Sequence, residues 1–247
     1  MSNAQGMAVI GGTGLNQLAD VTSIDEHLVV TPYGAVSAPL QTLKYSEREF
    51  IFLARHGQPH RLPPHKINYR ANLWALRERG VKTIIAINAV GGITAAMTTG
   101  AIVVPHQLID YTWGREHTYH SDTSLDHIDF TQPYTATLRA QIIEAAAAAK
   151  IATVDAAVYA AMQGPRLETA AEINRLERDG CDIVGMTGMP EAALARELGL
   201  DYASICLVVN PAAGRAPDAI TMEGMQRVIN QGMGQVKKLV LAVVCSR

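Results

Sequence analysis

The chain has 247 residues, with 23 acidic and 21 basic side chains, a formal net charge of −2 and a pI near 6.4. This balance gives no positive field that would gather a polyanion, which argues against nucleic acid as a partner. The longest apolar stretch, Leu239 to Cys245, is too short to cross a bilayer, which argues against a membrane protein.

The three cysteines are Cys181, Cys206 and Cys245. They are widely separated and lie mostly in apolar surroundings, which is typical of reduced core thiols and predicts a cytoplasmic location. The length fits one compact domain, which we place at residues 7–247. Residues 1–6, which include Ser2-Asn3-Ala4, are expected to be a tag remnant or a disordered N terminus.

The first apolar run, Ala8 to Ile10, predicts a buried strand that enters the loop Gly11-Gly12-Thr13-Gly14. Glycines let the backbone turn tightly and present N–H groups to a phosphate-sized anion, and Thr13 adds a hydroxyl. An ordinary strand-to-helix turn has the same appearance. A dinucleotide fingerprint would need a glycine where Gln17 stands, so we do not expect NAD.

Strands and helices are predicted to alternate along the rest of the chain. The predicted strands are Phe50–Ala54, Thr83–Ala89, Ile102–Val104, Gln107–Tyr111, Ala157–Met162, Asp182–Met186 and Tyr202–Val209. The predicted helices are Asn68–Arg79, Thr137–Lys150, Glu168–Arg178, Pro190–Leu198 and Met222–Val244. Gly80, Gly180 and Gly199 stand where left-handed helix caps are needed. We therefore predict one α/β domain around a largely parallel sheet, with a polar functional loop from Tyr111 to Pro133.

Polar residues follow several of these strands, and ligands in open α/β sheets collect at the carboxyl ends of strands. Arg55 offers a planar fork that matches two phosphate oxygens, and His56 can donate from a ring nitrogen. Thr187 would add a hydroxyl. These residues predict an anion site, although Arg55 could instead form a structural ion pair.

A metallohydrolase is the alternative from another class. Its candidate ligands are His56, His60, His65, His117 and His120. Prolines around His60 exclude the helix that would put His56 and His60 on one face, and no HExxH motif occurs, so we do not expect a metal. No nucleophile elbow is present either, which leaves a reaction that depends on positioning and charge stabilisation.

Five motifs resemble, in order and spacing, those of the trimeric purine nucleoside phosphorylase and methylthioadenosine phosphorylase superfamily. They are Ile10-Gly11-Gly12-Thr13-Gly14, Arg55-His56-Gly57, Asn68-Tyr69-Arg70-Ala71-Asn72, Gln163-Gly164-Pro165-Arg166 and Gly185-Met186-Thr187-Gly188-Met189-Pro190-Glu191. The resemblance implies a mixed, largely parallel, distorted barrel-like sheet flanked by helices. It also implies a homotrimer that cleaves purine nucleosides with inorganic phosphate and needs no metal or organic cofactor.

The resemblance also implies roles for individual residues. Phosphate would be held by Thr13, Arg55, His56, the backbone of Ala89 and Thr187. The backbone of Met186 would meet the ribose hydroxyls, and Leu167 would lie against the purine, where relatives usually have Phe. An aliphatic side chain stacks less well than an aromatic ring but still excludes water.

Glu168 and Asn210 bear on the choice of base. An ionised Glu168 only accepts, which suits the N1–H of a 6-oxopurine, while the amide of Asn210 can donate to O6 and accept the proton that reaches N7. The pair matches the 6-oxopurine branch of the family, because the methylthioadenosine branch has Ser and Asp at these positions. The alternatives are a helix N-terminal acid at Glu168 and a turn residue at Asn210. We predict Asn210, Glu168 and His56 as the catalytic residues.

Met222 and Met225 begin the last helix, where the family's 5′ pocket lies. The inosine-cleaving branch has a histidine in place of Met222, whereas two thioethers suit a 5′-methylthio group. The alternative is that both are ordinary core residues of an amphipathic helix, the usual role of methionines. His127 is expected to close the pocket from a neighbouring subunit.

An oxopurine site combined with a methylthio site predicts 5′-methylthioinosine as the substrate, in purine and methylthio salvage. The alternatives within the class are methylthioadenosine phosphorylase, then inosine or guanosine phosphorylase. Outside the class, the alternative is a nucleotide-binding module without catalysis, which would bind ligand but release no purine when phosphate is added.

Overall fold

The computed structural model describes residues 6–11, 21–120 and 126–246. Residues 1–5 of the expected tag remnant and the loop residues Gly12, Thr13 and Gly14 lie outside the described part. The strands are β1 (Met7–Gly11), β2 (Thr22–His27), β3 (Val30–Thr31), β4 (Gly34–Ala35), β5 (Leu40–Tyr45), β6 (Arg48–Ala54), β7 (Thr83–Gly92), β8 (Ile102–Val103), β9 (Gln107–Asp110), β10 (Thr153–Val154), β11 (Val158–Ala161), β12 (Ile183–Gly185) and β13 (Asp201–Pro211). The helices are α1 (Tyr69–Glu78), α2 (Ala136–Ala148), α3 (Ala170–Arg178), α4 (Glu191–Glu197) and α5 (Met222–Cys245), with a short 3₁₀ turn at Pro64–Lys66.

The predicted α/β class is confirmed, and each predicted strand and helix is present to within three residues at either end. The main sheet has the order β10-β8-β13-β7-β1-β6-β5-β2 and branches at β7, which also pairs with β12, followed by β11 and β9. Six strand pairs of this sheet are parallel and four are antiparallel. The sheet is therefore mixed and largely parallel, as expected.

The antiparallel edge formed by β2 and β5 was not predicted. Five of the six β2 residues are exposed, so this strand carries no apolar alternation for sequence reasoning to detect. The strand exists because it pairs with β5, which pairs in turn with the buried strand β6. Tertiary pairing rather than local sequence decides its conformation.

Apolar strands at the centre of the sheet form the core. All five residues of β1 are buried, and β1 lies between β6 and β7 in parallel register. Strands buried on both faces by flanking helices read as continuous apolar runs, which is why these three were recognisable. Gly80, Gly180 and Gly199 have φ values of +81°, +89° and +67°, which confirms their predicted role as left-handed caps.

A shift in the pairing register of β13 with β7 places two consecutive residues at the carboxyl end of the strand. β13 keeps a regular parallel register with β7 as far as Val208, opposite Val90, and then Asn210 pairs with Gly91. Val209 is therefore an additional residue in the ladder, a β-bulge close to the carboxyl end of both strands. In the part of the chain that the structure describes, no helix is long and apolar enough to cross a membrane.

Candidate active site

A cavity of about 300 Å³ lies where the carboxyl ends of β6, β7, β12 and β13 meet. The predicted site residues that line it are Arg55, His56, Ala89, Leu167, Glu168, Met186, Thr187, Asn210, Met222 and Met225. The fold therefore brings together the predicted phosphate, base and 5′ groups. Thr13 lies outside the described residues, and His127 is exposed and does not line the cavity.

Arg55 directly follows β6, and its guanidinium forms an ion pair with Glu191. Nε donates to Oε2 of Glu191 at 2.6 Å and Nη2 donates to Oε1 at 2.7 Å, while Nη1 donates to the carbonyl of Ile87 at 2.9 Å. The structure therefore shows the ion pair that the sequence left open as an alternative, and contact between Arg55 and phosphate stays a prediction. These bonds use three of the five guanidinium N–H groups and leave two for other acceptors.

Both side chains of this pair are completely buried. Burial lowers the pKa of Arg55, but the charge and hydrogen bonds of Glu191 more than offset this, and the net pKa is raised. Tyr202 donates to Oε1 of Glu191 at 2.8 Å and completes the carboxylate's hydrogen bonding. The guanidinium of Arg55 is therefore already paired with a carboxylate when a ligand arrives.

His56 is held in one orientation by a backbone carbonyl. Its Nδ1 lies 2.8 Å from the carbonyl oxygen of Leu62, and its ring stacks on His60 with centroids 4.3 Å apart. Gly57 has a φ of +83°, which allows the chain to turn back so that Leu62 reaches His56. Burial, together with the charge of Arg55, lowers the pKa of His56 to about 4, so the ring is neutral at neutral pH.

Thr187 sits at the end of a buried hydrogen-bond chain that sequence reasoning missed. Its Oγ1 donates to Oδ1 of Asn88 at 2.8 Å, and Nδ2 of Asn88 donates to Oγ of Ser204 at 2.6 Å. Ser204 in turn lies 3.3 Å from the carbonyl of Ala86. An asparagine inside the apolar run of β7 was the available signal, since buried amides need partners.

Two further buried side chains hold the turn that carries Met186 and Thr187. Tyr159 lies beneath Gly185 and Gly188, and its hydroxyl is 3.4 Å from the backbone nitrogen of Thr187. Arg115, in the polar loop, donates to the carbonyls of Met186 at 2.8 Å, Met189 at 2.6 Å and Gln163 at 2.8 Å. Through Arg115, the predicted functional loop therefore holds the backbone of two turns next to the cavity.

The base end of the cavity contains Glu168 and Asn210. Glu168 is half-buried directly before Thr169, which caps α3 through a capping box with Glu172. Burial raises the pKa of the Glu168 carboxyl above its ordinary value. Nδ2 of Asn210 donates to the carbonyl of Pro211 at 2.7 Å, so one amide hydrogen is engaged locally. Because of the β-bulge, Val209 and Asn210 both line the cavity.

The 5′ end lies at the start of α5. Thr221 caps this helix by accepting from the backbone nitrogen of Gly224 at 3.1 Å, which puts Met222 and Met225 in its first turn. Met225 is half-buried against the core, whereas Met222 is 75% exposed and Leu167 is 40% exposed. Two apolar side chains at the cavity edge are therefore open in the single chain.

The remaining histidines do not gather around a centre. Among residues 6–11, 21–120 and 126–246, no three His, Cys, Asp or Glu side chains are arranged to hold a metal ion. His56 and His60 lie face to face with an interplanar angle of 8°. His117 is placed by its own loop, with Nδ1 3.2 Å from the carbonyl of Arg115.

Comparison with known families gives one match that spans almost the whole chain. The family model described as "Phosphorylase superfamily" matches residues 7–244. A protein from Pseudomonas syringae pv. tomato named "Probable S-methyl-5'-thioinosine phosphorylase" is 56% identical over 239 residues, covering 96% of this chain and 97% of its own length. A protein from Thermococcus kodakarensis named "Probable 6-oxopurine nucleoside phosphorylase" is 42% identical over 245 residues, covering 96% of this chain and 91% of its own.

The solved structures of similar fold include a nucleoside phosphorylase. Methylthioadenosine phosphorylase from Schistosoma mansoni in complex with adenine superposes with a TM-score of 0.93 at 30% sequence identity. The match covers 98% of this chain and 91% of the other.

Proposed function

The chain belongs to the phosphorylase superfamily, and we propose that it cleaves S-methyl-5′-thioinosine with inorganic phosphate to give hypoxanthine and 5-methylthioribose 1-phosphate. The observation that carries this proposal is the single cavity in which Arg55, His56 and Thr187 meet Glu168, Asn210 and the methionines of α5. Phosphate, sugar and base must occupy neighbouring positions for the reaction to proceed.

Phosphate would lie against Arg55, His56, Thr187 and the backbone of Ala89, below the anomeric carbon of the sugar. As the glycosidic bond stretches, positive charge grows on the ribose ring, and a phosphate held close to that face stabilises it. Thr13 is proposed to contribute its hydroxyl at the same place. The phosphate oxygen then bonds to the anomeric carbon while the purine departs from the opposite face.

Negative charge grows on the purine at the same time. Glu168 would accept from N1–H, and Asn210 would donate to O6 and accept the proton that arrives at N7. For Asn210 this uses its oxygen and the amide hydrogen that does not bond Pro211. Leu167 would cover one face of the base, and the backbone of Met186 would meet the ribose hydroxyls.

The 5′-methylthio group would lie between Met222 and Met225, since thioethers form a soft, adaptable apolar pocket. Met222 and Leu167 are open in the single chain, and we propose that a neighbouring subunit of a homotrimer covers this edge, with His127 reaching the 5′ group. The reaction as proposed needs no metal or organic cofactor, and the enzyme is proposed to be cytoplasmic.

The test is phosphate-dependent cleavage of methylthioinosine, methylthioadenosine and inosine, compared by kcat/KM. We expect methylthioinosine to be the best of the three. Equal or faster cleavage of methylthioadenosine would contradict the assignment of Glu168 and Asn210. Methylthioadenosine phosphorylase is the second candidate, because the solved Schistosoma mansoni enzymes similar to this chain carry that name.

A further inference from the structure

The two residues proposed to choose the base lie on different elements of the fold. Asn210 is near the end of β13, and Glu168 comes directly before Thr169, the cap of α3. Each would form a hydrogen bond to the same rigid purine, and such bonds weaken steeply when donor and acceptor are displaced or misaligned. The position of α3 relative to the end of β13 therefore bears directly on base selection.

A tight turn follows β13 and connects it to α3. The backbone nitrogen of Arg215 donates to the carbonyl of Ala212 at 2.9 Å, and Gly214 between them has a φ of +75°. A Cβ added at Gly214 would lie 2.7 Å from Cβ of Ala170, the first residue of α3. The turn therefore packs against the start of α3, and glycine permits this close approach.

A small apolar cluster holds the same turn and helix together. Ala212 is buried with Ile173 and Leu176 of α3, and Ile93, which directly follows β7, belongs to the same cluster. The cluster is separate from the main core. Apolar contacts keep the turn on α3, but they are not directional and do not by themselves fix its orientation.

Arg215 supplies the directional contacts. Its Nε donates to the carbonyl of Ile93 at 3.1 Å, its Nη1 to Oδ1 of Asn174 at 2.8 Å and its Nη2 to Oε2 of Glu177 at 2.6 Å. Asn174 and Glu177 lie on one face of α3. One planar guanidinium thus connects the end of β7, the turn after β13 and α3.

This arginine is placed to orient the elements and not to bind substrate. Its side chain is only 22% exposed, yet it is not among the described residues that line the cavity. Glu177 is half-exposed, so its ion pair with Arg215 contributes little stability. Bonds to three acceptors on two elements instead restrict how the turn can rotate on α3.

We propose that Arg215 is a positioning residue for base selection, which holds Asn210 and Glu168 at the separation and angle that a 6-oxopurine requires. The inference rests on the proposed function, because it concerns the base end of the same cavity. Arg215 acts through Asn210 and Glu168 and touches no reacting atom.

Removal of the guanidinium leaves the apolar cluster in place, so we expect the protein to remain folded. Asn210 and Glu168 then lose their fixed separation. Hypoxanthine would bond to both groups, whereas adenine presents a bare N1 lone pair to the carboxylate and gains less from their alignment. The preference for hypoxanthine over adenine therefore falls.

The test measures the dissociation constants of hypoxanthine and adenine by calorimetry in the presence of phosphate, together with kcat/KM for methylthioinosine and methylthioadenosine. Arg215→Gln removes the planar fork and its charge. We expect the preference for the oxopurine to fall about tenfold in both measurements.

Arg139→Gln is the matched control. Arg139 also donates to backbone carbonyls, those of Val104, Pro105 and Asp155, and it does not line the cavity. This variant should keep the wild-type preference, since it loses the same kind of anchor at a place remote from the base.

A combined variant separates positioning from a general weakening of the fold. In Glu168→Ala with Asn210→Ala, the groups through which Arg215 acts are absent, so the addition of Arg215→Gln should leave the base preference unchanged. Glu177→Gln keeps the arginine but removes the charge of one acceptor, and it should lower the preference by about threefold. It replaces Arg215→Gln if thermal unfolding shows that the latter is not folded.

A wild-type preference in folded Arg215→Gln and Glu177→Gln would overturn the proposal, as would an equal loss of affinity for the two bases. Failure of the proposed function gives a different result, namely no release of base from either nucleoside, and the dissociation constants then still decide the role of Arg215. A wild type that binds both bases equally would contradict the base assignment and this inference together.

Discussion

Nε of Arg55 lies 2.6 Å from Oε2 of Glu191, and neither side chain is exposed to solvent. A buried ion pair contributes little by itself, but removal of one partner leaves an uncompensated charge in the interior. We therefore expect Glu191→Gln to lower the free energy of unfolding by about 3–5 kcal/mol, measured by urea denaturation. Glu223→Gln removes an exposed carboxylate of α5 and should change it by less than about 0.5 kcal/mol. Equal effects of the two variants would contradict the buried pairing.

The pair Glu168 and Asn210 is expected to set the choice of base. Glu168→Ser combined with Asn210→Asp removes an acceptor facing N1 and gives the other end of the base a carboxyl group. We expect the ratio of kcat/KM for methylthioadenosine to that for methylthioinosine to rise about tenfold or more. Glu144→Ser, at an exposed position of α2, serves as the control. An unchanged ratio in the double variant would mean that the base binds elsewhere.

The raised pKa of Glu168 predicts a pH dependence of the reaction. The ionised carboxyl accepts from N1–H more strongly than the neutral one, and the ionised form is lost as the pH falls through the pKa. Because burial raises this pKa above the ordinary value for Glu, kcat/KM for methylthioinosine should decline at a higher pH than an unperturbed Glu would give. The profile of Glu168→Gln should lack this decline, and a decline that persists in the variant would assign it to another group.

The thioethers of α5 are expected to favour a 5′-methylthio group over a 5′-hydroxyl. In Met222→His, an imidazole that can hydrogen-bond a hydroxyl replaces one apolar contact. The ratio of kcat/KM for methylthioinosine to that for inosine should fall about tenfold. Gln235→His places the same side chain at an exposed position of α5 remote from the cavity and should leave the ratio unchanged. A wild-type ratio in Met222→His would remove the methionines from the 5′ site.

Gly185 and Gly234 should respond in opposite ways to alanine. A Cβ at Gly185 would come within 2.1 Å of the buried hydroxyl of Tyr159, whereas a Cβ at Gly234 meets nothing within 4 Å. We expect Gly185→Ala to cost about 1–3 kcal/mol of stability and to lower kcat/KM, because the turn carrying Thr187 must move. Gly234→Ala, inside α5, should gain about 0.5–1 kcal/mol, since alanine is the better helix former. Chemical denaturation of both variants checks the contrast.

The strands and helix ends that could be predicted from the sequence are determined by residues close together in the chain. Apolar runs such as Ile84–Ile87 predict buried strands, and glycines with positive φ, such as Gly80, mark helix ends. Several candidate site residues that line the cavity could be proposed from the sequence because they directly follow those strands, at the edge of a parallel sheet where ligands bind. Each of these signals depends on neighbours in the chain.

The parts that could not be predicted depend on residues distant in sequence. Arg55 and Glu191 are separated by 136 positions, so the orientation of the arginine fork follows from tertiary packing alone. The same holds for the partners of Asn88 and for Arg115, whose acceptors lie on two separate turns. Strand β2 was missed because its conformation depends on pairing with β5 and not on its own residues.

The bulge residue Val209 increases the number of side chains that the end of β13 directs into the cavity. Strict two-residue alternation would let a ligand touch only every second side chain, yet Val209 and Asn210 are consecutive and both border the cavity. The aliphatic side chain of Val209 thus stands directly beside the amide of Asn210, which we propose discriminates between bases. Deletion of Val209 would restore the regular pairing of β13 with β7 and remove the aliphatic side chain next to the amide of Asn210.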